Sequence, residues 1–233
     1  MRIGLNPRSI LLCLLWAIAA IVAAHMAMIT LVLIHDEPIR GGIRALFDLD
    51  SEQNIPTLFS TLQLTAVSIL AWLLRAEAKQ SNRGESLIWT GLAVTFAALA
   101  VDEFCMLHEH LQDIGNRMLG WKLSLPFDWV IPYALMIGAV VSVLARSWWR
   151  LPSQTRWRIA AAGAVYVGGG LVVETCGSFM AMRYGWDSLQ YLAEIVVEET
   201  MEMLGVALAI WALSSLLHDR RVGLDFVGPA DAT

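Results

Sequence analysis

The sequence predicts an all-α integral membrane protein: one bundle of six transmembrane helices with both termini in the cytoplasm. Three observations lead there. Hydrophobic residues make up 57% of the 233-residue chain and charged residues 16%, with a mean hydropathy of +0.59. A soluble domain is nearer half apolar and a quarter charged. Six segments, at roughly 10–34, 56–75, 86–113, 128–149, 157–182 and 188–217, have the length of about 20 apolar residues that a bilayer span needs. Lys and Arg gather in alternate loops.

The first segment imitates a secretory signal, with a basic start (MRIGLNPR), an apolar run and small residues. Apolar sequence nevertheless continues to Ile34, so a retained helix is expected rather than a cleaved leader. The loop after it is the longest. Its Ile43-RALFDL stretch could lie on the membrane as a short amphipathic helix. The acidic DLDSE that follows lacks the glycine and terminal Glu of an EF-hand, so a solvated loop is expected. The second segment has a polar side, Thr57, Ser60, Thr61, Gln63, Thr65 and Ser68, which could line a cavity or bond to neighbouring helices. Gly168–Gly170, inside the fifth segment, would let another helix approach closely. The membrane domain is taken as 1–221, and residues 222–233, with Gly, Pro and Asp, as a disordered tail.

Orientation follows from the loops. Arg2 and Arg8, then Arg75, Lys79 and Arg83, then Arg146, Arg150, Arg156 and Arg158, then Arg220 and Arg221 fall on one side. The other side carries Arg40, Arg44, Arg117, Lys122 and Arg183, diluted by Asp36, Glu37, Asp48, Asp50, Glu52 and Asp187. The bias places the first side in the cytoplasm. Trp residues near the segment ends fit interfacial belts.

The net charge of −5 and the lack of a basic stripe argue against a nucleic-acid partner. Cys13, Cys105 and Cys176 form no CxxC and predict neither a disulfide framework nor a zinc knuckle. Buried inert thiols are expected, with Cys105 and Cys176 lesser ligand candidates beside Asp102 and Glu174. No GxSxG, HExxH or P-loop is present.

The chemistry lies in carboxylates that hydropathy did not require. At about 1.5 Å per helical residue, Asp102 and Glu103, Glu174, and the group Glu198, Glu199 and Glu202 all reach one level near the midplane. His25 falls at that level too, with Glu109, His110 and Glu194 one or two turns nearer the outer surface. On an ideal helix Asp102, Glu103, Met106, Glu109, His110 and Asp113 share one face, and His108 lies opposite. Glu194, Glu198, Glu199 and Glu202 share another face. An ionised carboxylate costs about 3 kcal/mol at the bilayer centre. The cluster must therefore be protonated, surround water or hold metal ions. Several Glu with one to three His suit iron, manganese or zinc. Helix-bundle di-metal proteins project such groups from facing helices, although no Glu-x-x-His occurs on these.

Three motifs point further: Glu52-QNIPT before the second segment, D-E-x4-H-E from Asp102 to Glu109, and E-E-x2-E-M from Glu198 to Met203. Together they resemble an uncharacterised family of bacterial multi-pass membrane proteins. The resemblance implies no reaction. It favours His108 over His110, and both are kept.

The expected function is that of a membrane-embedded metalloprotein with a site in the outer half of the bilayer. It would be an oxidoreductase of di-iron type or a metal-dependent hydrolase. Metal ligands are expected among Asp102, Glu103, His108, Glu109, His110, Glu174, Glu198, Glu202 and His25, with Glu199 as proton donor or acceptor. Iron or manganese is favoured because carboxylates outnumber His, zinc is possible, and copper would need Met106, Met201 or Met203. An outward opening suggests a lipid or other apolar substrate. The competing readings are a divalent-cation or proton transporter, a haem protein using His25 with His108 or His110, and an accessory subunit of a membrane complex.

Overall fold

A computed structural model of the chain describes residues 6–35, 45–107 and 130–222. The described chain is helical: α1 (Pro7–His35), α2 (Ile55–Gln80), α3 (Ser86–Cys105), α4 (Val130–Trp148), α5 (Ser153–Val167), a π-helical turn (Gly168–Val173), α6 (Glu174–Tyr184) and α7 (Leu189–Asp219). The segment α5–π–α6 is continuous over Ser153–Tyr184. Among the described residues it joins α1, α2, α3 and α7 as the five helices long and apolar enough to cross a membrane. The apolar stretch Tyr133–Trp148 of α4 is shorter. Of the expected amphipathic helix at 43–49, the described residues begin with a 3-10 turn at 45–46.

The helix ends follow local chemistry. Asn54 caps α2: its side-chain oxygen accepts from the Thr57 N–H at 3.0 Å, and Pro56 occupies the first turn, where its missing donor costs nothing. Ser188 caps α7 by accepting from the Tyr191 N–H at 3.3 Å. α3 departs from expectation. The sequence suggested one helix from 86 to 113, yet α3 ends at Cys105 because Met106 adopts a left-handed conformation, φ 56° and ψ 41°, and its N–H closes back on the Asp102 carbonyl. Left-handed termination is a common helix stop, although a residue with a Cβ adopts it at some cost. Asp102 and Glu103 therefore stand in the last turn of α3, and the part of the acidic face expected at Glu109, His110 and Asp113 lies outside the described residues.

One end of the bundle is tied by arginines. Arg220 Nη2 donates to Glu85 Oε2 at 2.6 Å and Arg220 Nη1 to Glu77 Oε2 at 2.7 Å. The Trp89 indole N–H also donates to Glu85, at 3.2 Å, and Arg150 Nη1 donates to the Gly84 carbonyl at 2.9 Å. Arg75 lies 4.2 Å over the Trp72 ring and Arg156 4.9 Å over Trp149, as expected where helices leave the hydrocarbon. We call this the Arg-rich end.

α7 is the axis of the bundle. In its most apolar 18-residue window 67% of residues are buried, against 17–33% for the other four spans. In lipid, helices gain little from hiding apolar surface from one another, so close packing carries the association. Gly205 allows this: a Cβ there would stand 2.5 Å from the Tyr166 backbone nitrogen. Toward the Arg-rich end, Leu64, Val67, Leu74, Ile88, Trp89 and Leu213 form a continuous apolar core between α2, α3 and α7. A second core joins Ile18, Ile21, Met28 and Ile29 of α1 to Tyr191, Ile195 and Met203 of α7. The polar side of α2 serves packing: Ser68 donates to the Ala93 carbonyl at 2.8 Å, and Gln63 donates to the Met203 carbonyl at 3.4 Å. The three cysteines are exposed on the helix flanks, not buried as expected. In a membrane that surface faces hydrocarbon, where a weakly polar thiol is tolerated.

Removing Arg220 leaves Glu85 buried without its cation. Loss of one partner of a buried pair costs about 3–5 kcal/mol. Arg220→Ala should therefore lower the unfolding temperature of the purified protein in detergent by several degrees; an unchanged midpoint would show that the Arg-rich end is not tied this way.

Candidate functional site

The site is built on α7. Glu194, Glu198 and Glu202 recur every four residues and so form one stripe, with Glu199 beside it. Glu194 is buried, 6% exposed, and adjoins Glu198 one turn on. Its Oε1 has no hydrogen-bond partner among the described residues.

Other elements bring their carboxylates to this stripe. Glu198 interacts electrostatically with Glu174, Glu199, Glu202 and Glu194. Glu202 interacts with Glu103, Glu174, Glu52 and Asp102, and Glu199 with Glu202, Glu52 and Asp50. The end of α3, the start of α6, the stripe of α7 and the loop before α2 thus meet at one place. Asp102, Glu103, Glu174, Glu198, Glu199 and Glu202 are all there, as the depth count implied.

The π-turn makes the meeting possible. π-turns are rare and their wider winding alters where the following residues point; here the next residue is Glu174. The turn's glycines also admit α7. A Cβ on Gly169 would meet the Glu198 carbonyl at 2.9 Å, and one on Gly170 would strike the Glu202 carboxyl group. Further along, a Cβ on Gly177 would collide with the Glu194 carboxyl. The GGG run is thus a close-packing surface, as its sequence suggests, but what it packs against is the acidic stripe.

Three phenols and two loop acids were not foreseen. Tyr133 donates to Asp102 Oδ2 at 2.7 Å, and Tyr191 donates to Asp50 Oδ1 at 2.9 Å. Tyr166 lies within electrostatic reach of Glu202, Glu103, Asp102 and Glu199. A usable signal existed: tyrosines of spanning helices favour the interfaces, and Tyr166 stands far from both ends of Ser153–Tyr184. The acidic loop is not simply solvated. Asp48 is 3% exposed, and Asn54 donates to the Ala45, Asp48 and Ser51 carbonyls at 3.1, 2.5 and 2.6 Å. This folding carries Asp50 and Glu52 onto the site. The quoted Glu52-QNIPT motif holds both Glu52 and the residue that organises the loop.

His25 is wholly buried, and its described contacts are with that loop. Its Nδ1 accepts from the Leu49 N–H at 3.1 Å and lies 3.8 Å from Asp48 Oδ1. It therefore fastens the loop to α1. His108, Glu109 and His110 lie outside the described residues. Among the described residues no three His, Cys, Asp or Glu side chains already stand in a metal-holding arrangement.

One family model, described as a domain of unknown function (DUF8692), matches residues 9–217. No curated protein and no solved structure matches the chain.

Gly177 gives a direct test of the packing against the stripe. Gly177→Ala should force Glu194 aside and lower the thermal midpoint, whereas Gly138→Ala on α4, which meets open space, should leave it unchanged or slightly raised. Equal responses from the two variants would remove the close approach of α6 to Glu194.

Proposed function

We propose that this chain, which belongs to the DUF8692 family and takes no activity from it, is a membrane-embedded metal-binding protein whose carboxylate site performs chemistry on an apolar substrate. One observation carries the reading. Carboxylates from α3, α6, α7 and the loop before α2 converge inside a bundle of apolar helices. No Lys or Arg of the described helices stands at the depth of Glu103, Glu198, Glu199 and Glu202. Excess negative charge of that density needs protons or a cation. A divalent ion meets the need with the oxygen donors present.

Asp102, Glu103, Glu174, Glu198 and Glu202 are the proposed ligands, with His108, Glu109 or His110 completing the set. Ion binding would draw the described side chains closer together than they now stand. Iron or manganese suits so many carboxylates, and zinc remains compatible. Glu199 would exchange protons with bound water or substrate. His25 enters as the fastening of the loop and not as a ligand.

Binding and catalysis are favoured over conduction. A cation path would have to pass Leu64, Val67, Leu74, Trp89 and Leu213, which are buried and apolar toward the Arg-rich end. A site closed on that side takes up and returns its ion from the other. In the full proposal α4 is a sixth span, the Arg-rich end is cytoplasmic, and the protein resides in the plasma (inner) membrane.

The test is metal analysis of purified protein before and after reconstitution. About one or two iron, manganese or zinc ions per chain are expected. Glu198→Gln and Glu202→Gln should each weaken binding by more than about tenfold. Fewer than about 0.2 ions per chain after reconstitution, for every metal tried, would end the proposal.

A further inference from the structure

We propose that the flank of the bundle between α3 and α5 receives one acyl chain of a membrane phospholipid and leads it to the carboxylate site; that the chain belongs to a substrate rests on the function proposed above. The carrying observation is a cavity of about 110 Å³ between α2, α3, α5 and α7. Its walls include Val67, Phe96, Ile159, Ala209 and Leu213, and among the described residues the only lining side chain with a polar group is that of Tyr166. The carboxylate site does not include this space.

The shape follows the chain direction of the helices. Gly205 to Leu213 on α7 is about 12 Å of helix, running from the level of Tyr166 toward the Arg-rich end. The cavity therefore extends alongside this stretch of α7, and we call it the slot. Gly163, in its wall on α5, has no atom within 4 Å of where a Cβ would stand, so the flank is unobstructed there. Gly205 brings α7 against the Tyr166 backbone and so holds Tyr166 at the inner end of the slot.

The surroundings decide the occupant. Among the described residues five helices are long and apolar enough to cross a membrane, so the medium at the flank is hydrocarbon. An apolar cavity of this order stays dry and accepts an apolar guest. An empty slot would forfeit the dispersion contacts of every side chain lining it. A helix from a second copy, about 10 Å across, is too large for a cavity of about 110 Å³. A linear acyl chain fits.

Tyr166 joins the slot to the chemistry. It lines the cavity and also stands within electrostatic reach of Glu202, Glu103, Asp102 and Glu199. Carbons lying between Gly205 and Leu213 would sit in the apolar slot. Carbons extending past Tyr166 would meet the carboxylates. Tyr166 is thus the position that divides the part of the chain that is bound from the part that is presented.

The experiment is photolabelling in phosphatidylcholine vesicles, using phospholipids with a diazirine at successive positions along one acyl chain. Cross-links should concentrate in Ile159–Tyr166 and Gly205–Leu213, well above those on the exposed faces of α1 and α4, and should move toward Tyr166 as the diazirine is shifted along the chain. Ala209→Phe fills the slot and displaces about two methylenes, so it should reduce this labelling about tenfold. Ala162→Leu should act in the same direction if Ala209→Phe fails to fold. Labelling spread evenly over all lipid-facing helices, or unchanged in both variants, would overturn the proposal. So would a sterol probe or a second copy of the chain cross-linking at these residues in place of the phospholipid. Metal content is read separately: focused labelling of metal-free protein supports the slot even where the metal proposal fails, and a metal-loaded protein without focused labelling overturns the slot alone.

Discussion

A carboxylate inside a bilayer must face a proton, a cation or water, and the organisation of this chain follows from that constraint. α7 carries four such groups within nine residues. They cannot face lipid, so α7 must lie at the centre with its acidic stripe covered by other elements. The order of burial among the helices agrees, since α7 is by far the most enclosed. The apolar helices around it can present almost any face to the membrane. Their positions are set by what α7 needs covered.

Each neighbour covers the stripe with a different device. The π-turn sets three glycines against α7 and is followed directly by Glu174. α3 stops at Met106, which leaves Asp102 and Glu103 at a helix end instead of within a continuous wall. The loop before α2 folds back over the site, held by Asn54 from within and by His25 from α1. Every one of these features departs from regular helix or open loop. Such departures carry local strain or lost hydrogen bonds, and they gather where a structure must meet a functional demand. The Arg-rich end is held by apolar core and ion pairs, and its own left-handed residues, Asn82 and Arg221, stand just past the ends of α2 and α7.

Much of this was legible in the sequence because helix period and bilayer thickness are fixed lengths. Counting residues from the segment ends placed Asp102, Glu103, Glu174, Glu198, Glu199 and Glu202 at one level, and the structure brings them together. The errors come from breaks in that regularity. Nothing in VDEFCMLHEH marks Met106 as left-handed, because neither Gly nor Asn stands there, so the end of α3 at Cys105 was not legible. The roles of Asp50 and Glu52 depend on a loop folded by side-chain hydrogen bonds, which no hydropathy pattern encodes. Tyr133 and Tyr191 act through contacts between distant elements. Cys13, Cys105 and Cys176 follow no soluble-core habit, because in a membrane protein the outer surface is itself an apolar environment.

The central claim is that the converging carboxylates hold an ion. Its most direct test is an experimental density map of the protein, purified without chelator, with anomalous data collected at the iron, manganese and zinc absorption edges. The account predicts an anomalous peak among Asp102, Glu174, Glu198 and Glu202, within coordination distance of at least three of them. A well-ordered site in protein supplied with these metals, with the carboxylates bonded only to one another and no anomalous peak at any edge, would contradict it.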